Sequence, residues 1–288
     1  MGKSSIGNYL SLIKFSHTLF ALPFALLGYF LGIEFSSHEF EVGLFLKVIL
    51  SMVFARSAAM AFNRYVDRDI DKANERTATV REIPKGIIQA KSALIFVGIN
   101  ALLFILTTYF INALCFYLSP IALLVVLGYS YTKRFTFLCH LILGIGLSLA
   151  PIGAYLAVTG SFAWLPLYYS FAVVFWVAGF DIIYALQDDV FDKRMKLYSI
   201  PVLIGRKGSL IISIVFHLTT ALFMMYAAIE AKANLWYWLG TLLFLLLLIY
   251  QHFLVKANDL SKVNLAFFST NGIASLIFSI FAILSFYL

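Results

Sequence analysis

Apolar residues run along this chain in long blocks, with no alternation and no narrow stripe. Nine such blocks lie near 10–33, 42–62, 90–111, 112–131, 137–158, 164–186, 209–229, 234–255 and 265–288. A helix crosses a bilayer with about 20 mostly apolar residues, and each block approaches or exceeds that length. Outer-membrane barrels use short alternating strands, so the pattern excludes them. The first block is too long for the apolar region of a signal peptide, lacks a small-residue cleavage pattern and is followed by further spans. The expected fold is all-α and polytopic, with about nine transmembrane helices in one transmembrane domain over residues 1–288.

Composition sharpens this. Hydrophobic residues make up 62% of the 288, charged residues only 12%, and the mean hydropathy is +0.94. A soluble chain of this size is nearer half apolar and a quarter charged, so a cytosolic enzyme, a secreted scaffold and a disordered regulator are all excluded. The 2 cysteines, Cys115 and Cys139, sit in apolar runs and suggest neither a disulfide framework nor a zinc site.

The formal charge of +7 reflects topology and contact with anionic lipid, so no nucleic-acid partner is expected. With the N-terminus in the cytoplasm, 17 of the 21 basic residues fall in or beside inside loops. Lys232 falls outside, and Lys14, Lys47 and Arg56 lie within spans. The expected location is the inner (cytoplasmic) membrane, multi-pass, with the N-terminus and the long loops cytoplasmic.

Two inside loops, roughly 63–89 and 187–208, exceed the usual connection length. With Asp181 at the edge of the second, they hold nine of the 14 acids. Positive-inside sorting asks for no acids, so the clustering needs its own cause. Asn63, Asp67 and Asp71 stand four apart and drift only about 40° per step along one helical face. Asp181, Asp188 and Asp192 are spaced seven and four and share another stripe, whereas Asp69 and Asp189 point away and are expected to be solvated. Like charges so spaced repel, so something cationic should bind there. The candidates are ion pairs to nearby arginines or a divalent metal. Carboxylates and an amide, without His or Cys, suit a hard ion such as Mg²⁺, which is usually held by one or two carboxylates plus phosphate oxygens. Two such clusters on one membrane face therefore read as a clamp on a diphosphate. They follow the second and sixth spans, four crossings apart, as in a diverged four-helix repeat.

The residues also carry a family resemblance. Asn63-Arg-Tyr-Val-Asp67-Arg-Asp-Ile-Asp71, with Asn74-Glu-Arg76-Thr77 and Arg81-Glu-Ile-Pro84-Lys-Gly86, resembles the first signature of the UbiA superfamily of membrane prenyltransferases. Asp181-Ile-Ile-Tyr184-Ala-Leu-Gln-Asp188-Asp-Val-Phe-Asp192, with Ser199-Ile-Pro201 and Gly205, resembles the second. Tyr129-Ser-Tyr-Thr-Lys133-Arg134 resembles the Tyr-x-x-x-Lys element between them. The 4-hydroxybenzoate polyprenyltransferase group is the most similar, and Arg56 to Arg64 looks closer still to a menaquinone branch of the futalosine route, whose acceptor is a dihydroxynaphthoate. One departure is Arg64, where many members carry Asp. The resemblance implies a helical bundle around a central cavity, capped on the cytoplasmic side by loops near 63–89, 132–136 and 187–208. It implies Mg²⁺ held through Asn63, Asp67, Asp71, Asp181, Asp188 and Asp192, with Tyr129 and Lys133 on the diphosphate of a polyprenyl donor. The activity implied is transfer of that chain to an aromatic acid ring in ubiquinone or menaquinone synthesis. Asp67, Asp71, Asp188 and Asp192 are the expected catalytic set.

Chemistry adds further candidates. Arg76, Arg81, Lys133 and Arg134 can neutralise the leaving diphosphate, although each also serves the positive-inside pattern. Arg56 is costly in lipid, so it must face the bundle. It lies seven residues before Asn63 on the same face, where either an acceptor carboxylate or an ion pair on another helix suits it. His17, His38, His140, His217 and His252 form no metal spacing; His17 could line the cavity or fill the core. Pro23, Pro120 and Pro151 fall inside spans, where kinks are tolerated. Two other classes fit the chain less well. A cation-coupled transporter needs acids near mid-bilayer, and here they lie at span ends. A CDP-alcohol phosphotransferase needs a glycine-spaced Asp signature, which is absent. No obligate protein partner is expected.

Overall fold

In the computed structural model, residues 5–14, 20–36 and 38–288 are described; Lys3 and His17 lie outside them. The described residues are helical apart from loops and one isolated bridge, Lys256 to Asp259. Eight helices are long and apolar enough to cross a membrane. They fall within α3 (Val42–Val66), α6 (Ala90–Tyr109), α7 (Ala113–Thr132), α8 (Cys139–Thr159), α9 (Trp164–Ala185), α11 (Ile200–Glu230), α12 (Leu235–Leu254) and a last helix. That last one opens as a π-helical segment, Leu265–Thr270, and continues as α13 (Asn271–Leu284). The protein is a multi-pass membrane protein.

The first expected span, 10–33, is not one helix. It divides into α1 (Ser5–Leu12) and the shorter apolar α2 (Leu22–Glu34). Pro23 explains where α2 begins: it sits in the first turn, where its missing N–H has no intrahelical partner to lose. It therefore starts a helix, whereas Pro120 and Pro151 do lie inside α7 and α8.

Helix α9 forms the centre of the bundle. It is 72% buried along its apolar window, against 17% for α7, which leaves most of its surface to lipid. Trp176, Tyr169 and Phe180 of α9 anchor the largest core cluster with Phe24, Phe244 and Phe278. Small residues let the backbones close on one another. A Cβ on Gly144 of α8 would meet the Val174 carbonyl oxygen of α9 at 2.3 Å, so that helix pair requires glycine. The strongest packing pairs α9 with α8 and α11, and α3 with α6; α3–α6 and α9–α11 stand four crossings apart.

The expected cap loops are partly helical. The first continues from α3 into α4 (Arg68–Ala73) and α5 (Glu75–Ala78). The second continues from α9 through a 3-10 turn, Leu186–Asp188, into α10 (Asp189–Arg194). It ends sooner than the expected residue 208, because Ser199 caps α11 by accepting from the Val202 N–H. Gly205, at φ 71°, puts a kink in α11 that an L side chain resists.

Candidate active site

The Asn63–Asp67–Asp71 frame survives a break in the helix. Helix α3 stops at Val66, and Asp67 leaves helical geometry at φ −87° and ψ 4°. Even so, the Asp67 N–H donates to the Asn63 carbonyl at 2.9 Å, and the Asp71 N–H to the Asp67 carbonyl at 2.8 Å. These i to i−4 bonds carry the register of α3 into α4. Asp67 and Asp71 are each only 3% exposed, whereas the Asp69 side chain is 84% exposed. The expectation for Asp69 holds. That for Asp189 does not: its carboxylate accepts from Arg206 Nε at 2.6 Å and Nη2 at 2.9 Å. The kink at Gly205 is next to Arg206, so this pair ties α10 to α11 and takes no part in the cavity.

The remaining acids meet the basic residues. Asp67 Oδ2 accepts from Asn63 Nδ2 at 3.2 Å and pairs with Lys133 Nζ at 3.2 Å. Arg134 Nη2 lies 3.1 Å from Asp67 Oδ1, but its N–H donates to the Val66 carbonyl. Asp71 pairs with Arg81. Asp188 pairs with Arg76, whose Nε donates to Oδ1 at 2.9 Å, and it also accepts from Asn74 Nδ2 at 2.9 Å. Asn74 serves twice, since its Oδ1 caps α5 by accepting from the Arg76 N–H. Arg76 Nη1 donates to the Tyr184 hydroxyl at 3.1 Å. Burial disfavours the Arg76 charge, yet Asp188 and Tyr184 together outweigh it and raise the pKa above the usual guanidinium value. The 132–136 segment joins this assembly through the Lys133 carbonyl, which accepts from the Tyr198 N–H at 2.7 Å.

Beneath these pairs lies a cavity of about 640 Å³. Asn63, Arg64, Asp67, Arg76, Arg81 and Lys133 line its polar end from one side, and Asp181, Asp188 and Asp192 from the other. Tyr129 and Arg56 also face it. Asp71 and Arg134 do not line it; they stand behind the wall and bear on Arg81 and Asp67. The opposite end is apolar and reaches Val48 on α3, about 22 Å from Asn63 at 1.5 Å per residue. Met52, Ile111, Leu118 and the exposed Ile121 and Phe162 line that shaft, so it borders on lipid.

Sequence reasoning left four cavity or rim residues without a role. Arg64 was only a missing acid, yet it is 8% exposed and lines the polar end. His140 had no metal spacing; its Nδ1 lies 2.7 Å from Asp181 Oδ2, and its Nε2 accepts from the Ile200 N–H at 3.4 Å. That acceptor role leaves the Nδ1 proton for Asp181. Tyr184 and Asn74 lay inside the quoted motifs, where their proximity to acids was the available signal. His140 gave none, because its partner is 41 residues away.

No three described His, Cys, Asp or Glu residues converge as a ready metal cage. A hard ion completed by substrate phosphate needs no such cage. Among the described residues, Asp67 Oδ1 on the rim and Asp71 Oδ2 behind it are buried oxygens without hydrogen-bond partners, with the Arg134 guanidinium 3.1 Å from the first. Buried carboxylate oxygens are rarely left so, and this donor chemistry fits a hard divalent cation at the Asp67 rim.

Residues 21–273 match the model of the UbiA prenyltransferase family. The chain belongs to that family. It is 31% identical to a 4-hydroxybenzoate octaprenyltransferase of Aliivibrio fischeri over 233 residues, 80% of this chain and 79% of that one. It is 32% identical to a protein of the same name from Nitrosomonas europaea, over 80% of this chain and 78% of that one. Among solved structures, the apo form of a UbiA homologue from Aeropyrum pernix K1 superposes with a TM-score of 0.79 at 29% identity, covering 92% of this chain and 95% of that one. A UbiA homologue from Archaeoglobus fulgidus bound to GPP and Mg²⁺ shares the fold, with a TM-score of 0.73 at 21% identity over 98% of this chain and 100% of that one. The protein is a membrane polyprenyltransferase, and its cavity is the candidate active site.

Proposed function

We propose that the protein transfers a polyprenyl chain from its diphosphate to the ring of an aromatic acid, 4-hydroxybenzoate or a related dihydroxynaphthoate, in ubiquinone or menaquinone synthesis at the inner membrane. The observation that carries this reading is the shape of the cavity: a charged rim at one end, an apolar shaft bordering lipid below, and a guanidinium, Arg56, between them. The donor's diphosphate suits the rim, and its chain suits the shaft. The cap side is assigned to the cytoplasm, which the Lys and Arg distribution supports.

Asp67, Asp188 and Asp192 would hold Mg²⁺, which would supply charge neutralisation to the leaving diphosphate. Arg76, Arg81 and Lys133 line the same end and stabilise the charge that develops there. Tyr129 adds a hydroxyl to that wall. The allylic C–O bond breaks with its electron pair going to the diphosphate. The acceptor ring carbon forms the new C–C bond, and its proton passes to a carboxylate of the aspartate rim. Arg56 receives the acceptor's carboxylate and sets the ring beneath the allylic carbon. Asp71 and Arg134 act from behind by orienting Arg81 and Asp67. Asp181, held by His140, closes the second wall.

The test is acceptor competition. Membranes containing the protein are given a polyprenyl diphosphate and equal amounts of 4-hydroxybenzoate, a dihydroxynaphthoate and a phenol lacking the carboxylate. Mass spectrometry should find the prenylated aromatic acids and little prenylated phenol. Equal prenylation of the phenol overturns the role given to the carboxylate, and no prenylated product at all overturns the reading.

A further inference from the structure

The cations that line the charged end are not equivalent. Arg76 is paired with Asp188, Arg81 with Asp71 and Lys133 with Asp67. Each can grip an incoming anion only by loosening a carboxylate. Arg64 differs: it makes no ion pair among the described residues. Among the same residues its one hydrogen bond, from Nη1 to Asn63 Oδ1, is long at 3.5 Å, and its buried Nε meets no partner. The residue is 8% exposed, so water cannot solvate the charge fully. Arg81 also lies within its electrostatic reach and repels it, and the Asp71 carboxylate that attracts it is already paired with Arg81.

A buried guanidinium in that state is costly unless an anion completes it. Arg64 lines the cavity beside Asn63 and Asp67, at the end assigned above to the diphosphate. Its planar fork of donors matches two phosphate oxygens at once. From these residues we infer that Arg64 is the primary docking cation for the donor's diphosphate, able to hold it before any metal ion binds. The inference rests on the donor reading of the cavity and extends it. Arg76, Arg81 and Lys133 would be freed to turn to the diphosphate if a bound cation neutralised their partner carboxylates.

The experiment is calorimetric titration of the full-length protein in lipid nanodiscs with farnesyl thiolodiphosphate, whose bridging sulfur slows bond cleavage. It is run once with Mg²⁺ and once with EDTA, and repeated with inorganic pyrophosphate to separate the headgroup from the chain. Wild-type protein should bind the analogue in EDTA. Arg64→Gln should weaken that metal-free binding about 10- to 100-fold, the usual loss for a charge-assisted hydrogen bond. Arg64→Lys should recover part of it, and the difference should shrink when Mg²⁺ is saturating. Metal-free binding by Arg64→Gln equal to wild type overturns the inference, as does wild-type binding that requires Mg²⁺. Absence of wild-type binding under both conditions instead overturns the donor reading itself. Thermal unfolding of each variant accompanies the titrations. If Arg64→Gln does not fold, the wild-type EDTA titration and Arg64→Lys decide, with metal-free binding by Arg64→Lys unchanged from wild type counting against the fork.

Discussion

Arg76 donates through Nε to Asp188 Oδ1 at 2.9 Å, joining residues 112 positions apart. The bond ties the first cap to the second, and Asn74 reinforces it on the same carboxylate oxygen. Arg76→Ala should therefore loosen the cap as well as weaken donor binding. The expected cost is about 2 kcal/mol of stability, reduced from a fully buried pair because both side chains retain contact with water. Thermal unfolding of Arg76→Ala, Asp188→Ala and the double variant measures it. A double variant no less stable than either single one confirms the link, and strictly additive losses contradict it.

Asp67 and Asp69 are two residues apart and oppositely placed. Asp67→Asn should lower kcat by about 100-fold or more, as expected when a group that positions charge at the leaving group is lost. Asp69→Ala should leave the rate within about twofold, since surface changes away from a site have small effects. Equal losses at the two positions contradict the assignment of a buried working face.

That contrast was legible in the sequence because four-residue spacing survives wherever i to i−4 bonds do, even across the break at Asp67. The same logic failed for Asp189. Its partner Arg206 lies beyond the second cap, on a helix whose start the apolar pattern set at 209 and the Ser199 cap sets at 200. The first span failed for a related reason: hydropathy counts apolar residues without regard to where Pro23 permits a helix to begin. Spacing located the acids and the cations but not their pairing, which depends on how α3, α7 and α9 pack. Arg64 shows this most clearly. Along the chain it reads as one more basic residue, and only packing reveals a buried guanidinium that pairs with no carboxylate among the described residues.

Arg56 lies seven residues before Asn63 on α3 and faces the cavity below the rim. Arg56→Leu should raise the acceptor KM about 10- to 100-fold, the loss of one charge-assisted contact. The donor KM should change little, and kcat should also fall where the ring is no longer positioned for attack. Initial-rate kinetics with each substrate varied in turn separate these effects. Equal changes in both KM values make Arg56 a structural charge instead.

His140 lines the cavity beside Asp181, with 2.7 Å between its Nδ1 and the Asp181 Oδ2. His140→Phe keeps the ring volume but leaves that carboxylate unpaired. It should lower stability by about 1–3 kcal/mol, the cost of a buried polar group losing its partner, while sparing donor affinity. His140→Asn, which can still donate, should recover part of the loss. A large fall in donor affinity with unchanged stability would place His140 at the diphosphate.

The central claim is metal-dependent prenyl transfer at the aspartate rim, and one measurement bears on it most directly. Purified protein in lipid nanodiscs is given geranyl diphosphate and 4-hydroxybenzoate, and the prenylated acid and released diphosphate are quantified together, with Mg²⁺ and with EDTA. The account predicts equal amounts of the two products with Mg²⁺, and loss of both in EDTA and in Asp67→Asn. Undiminished product in EDTA, or diphosphate released without any prenylated ring, contradicts it.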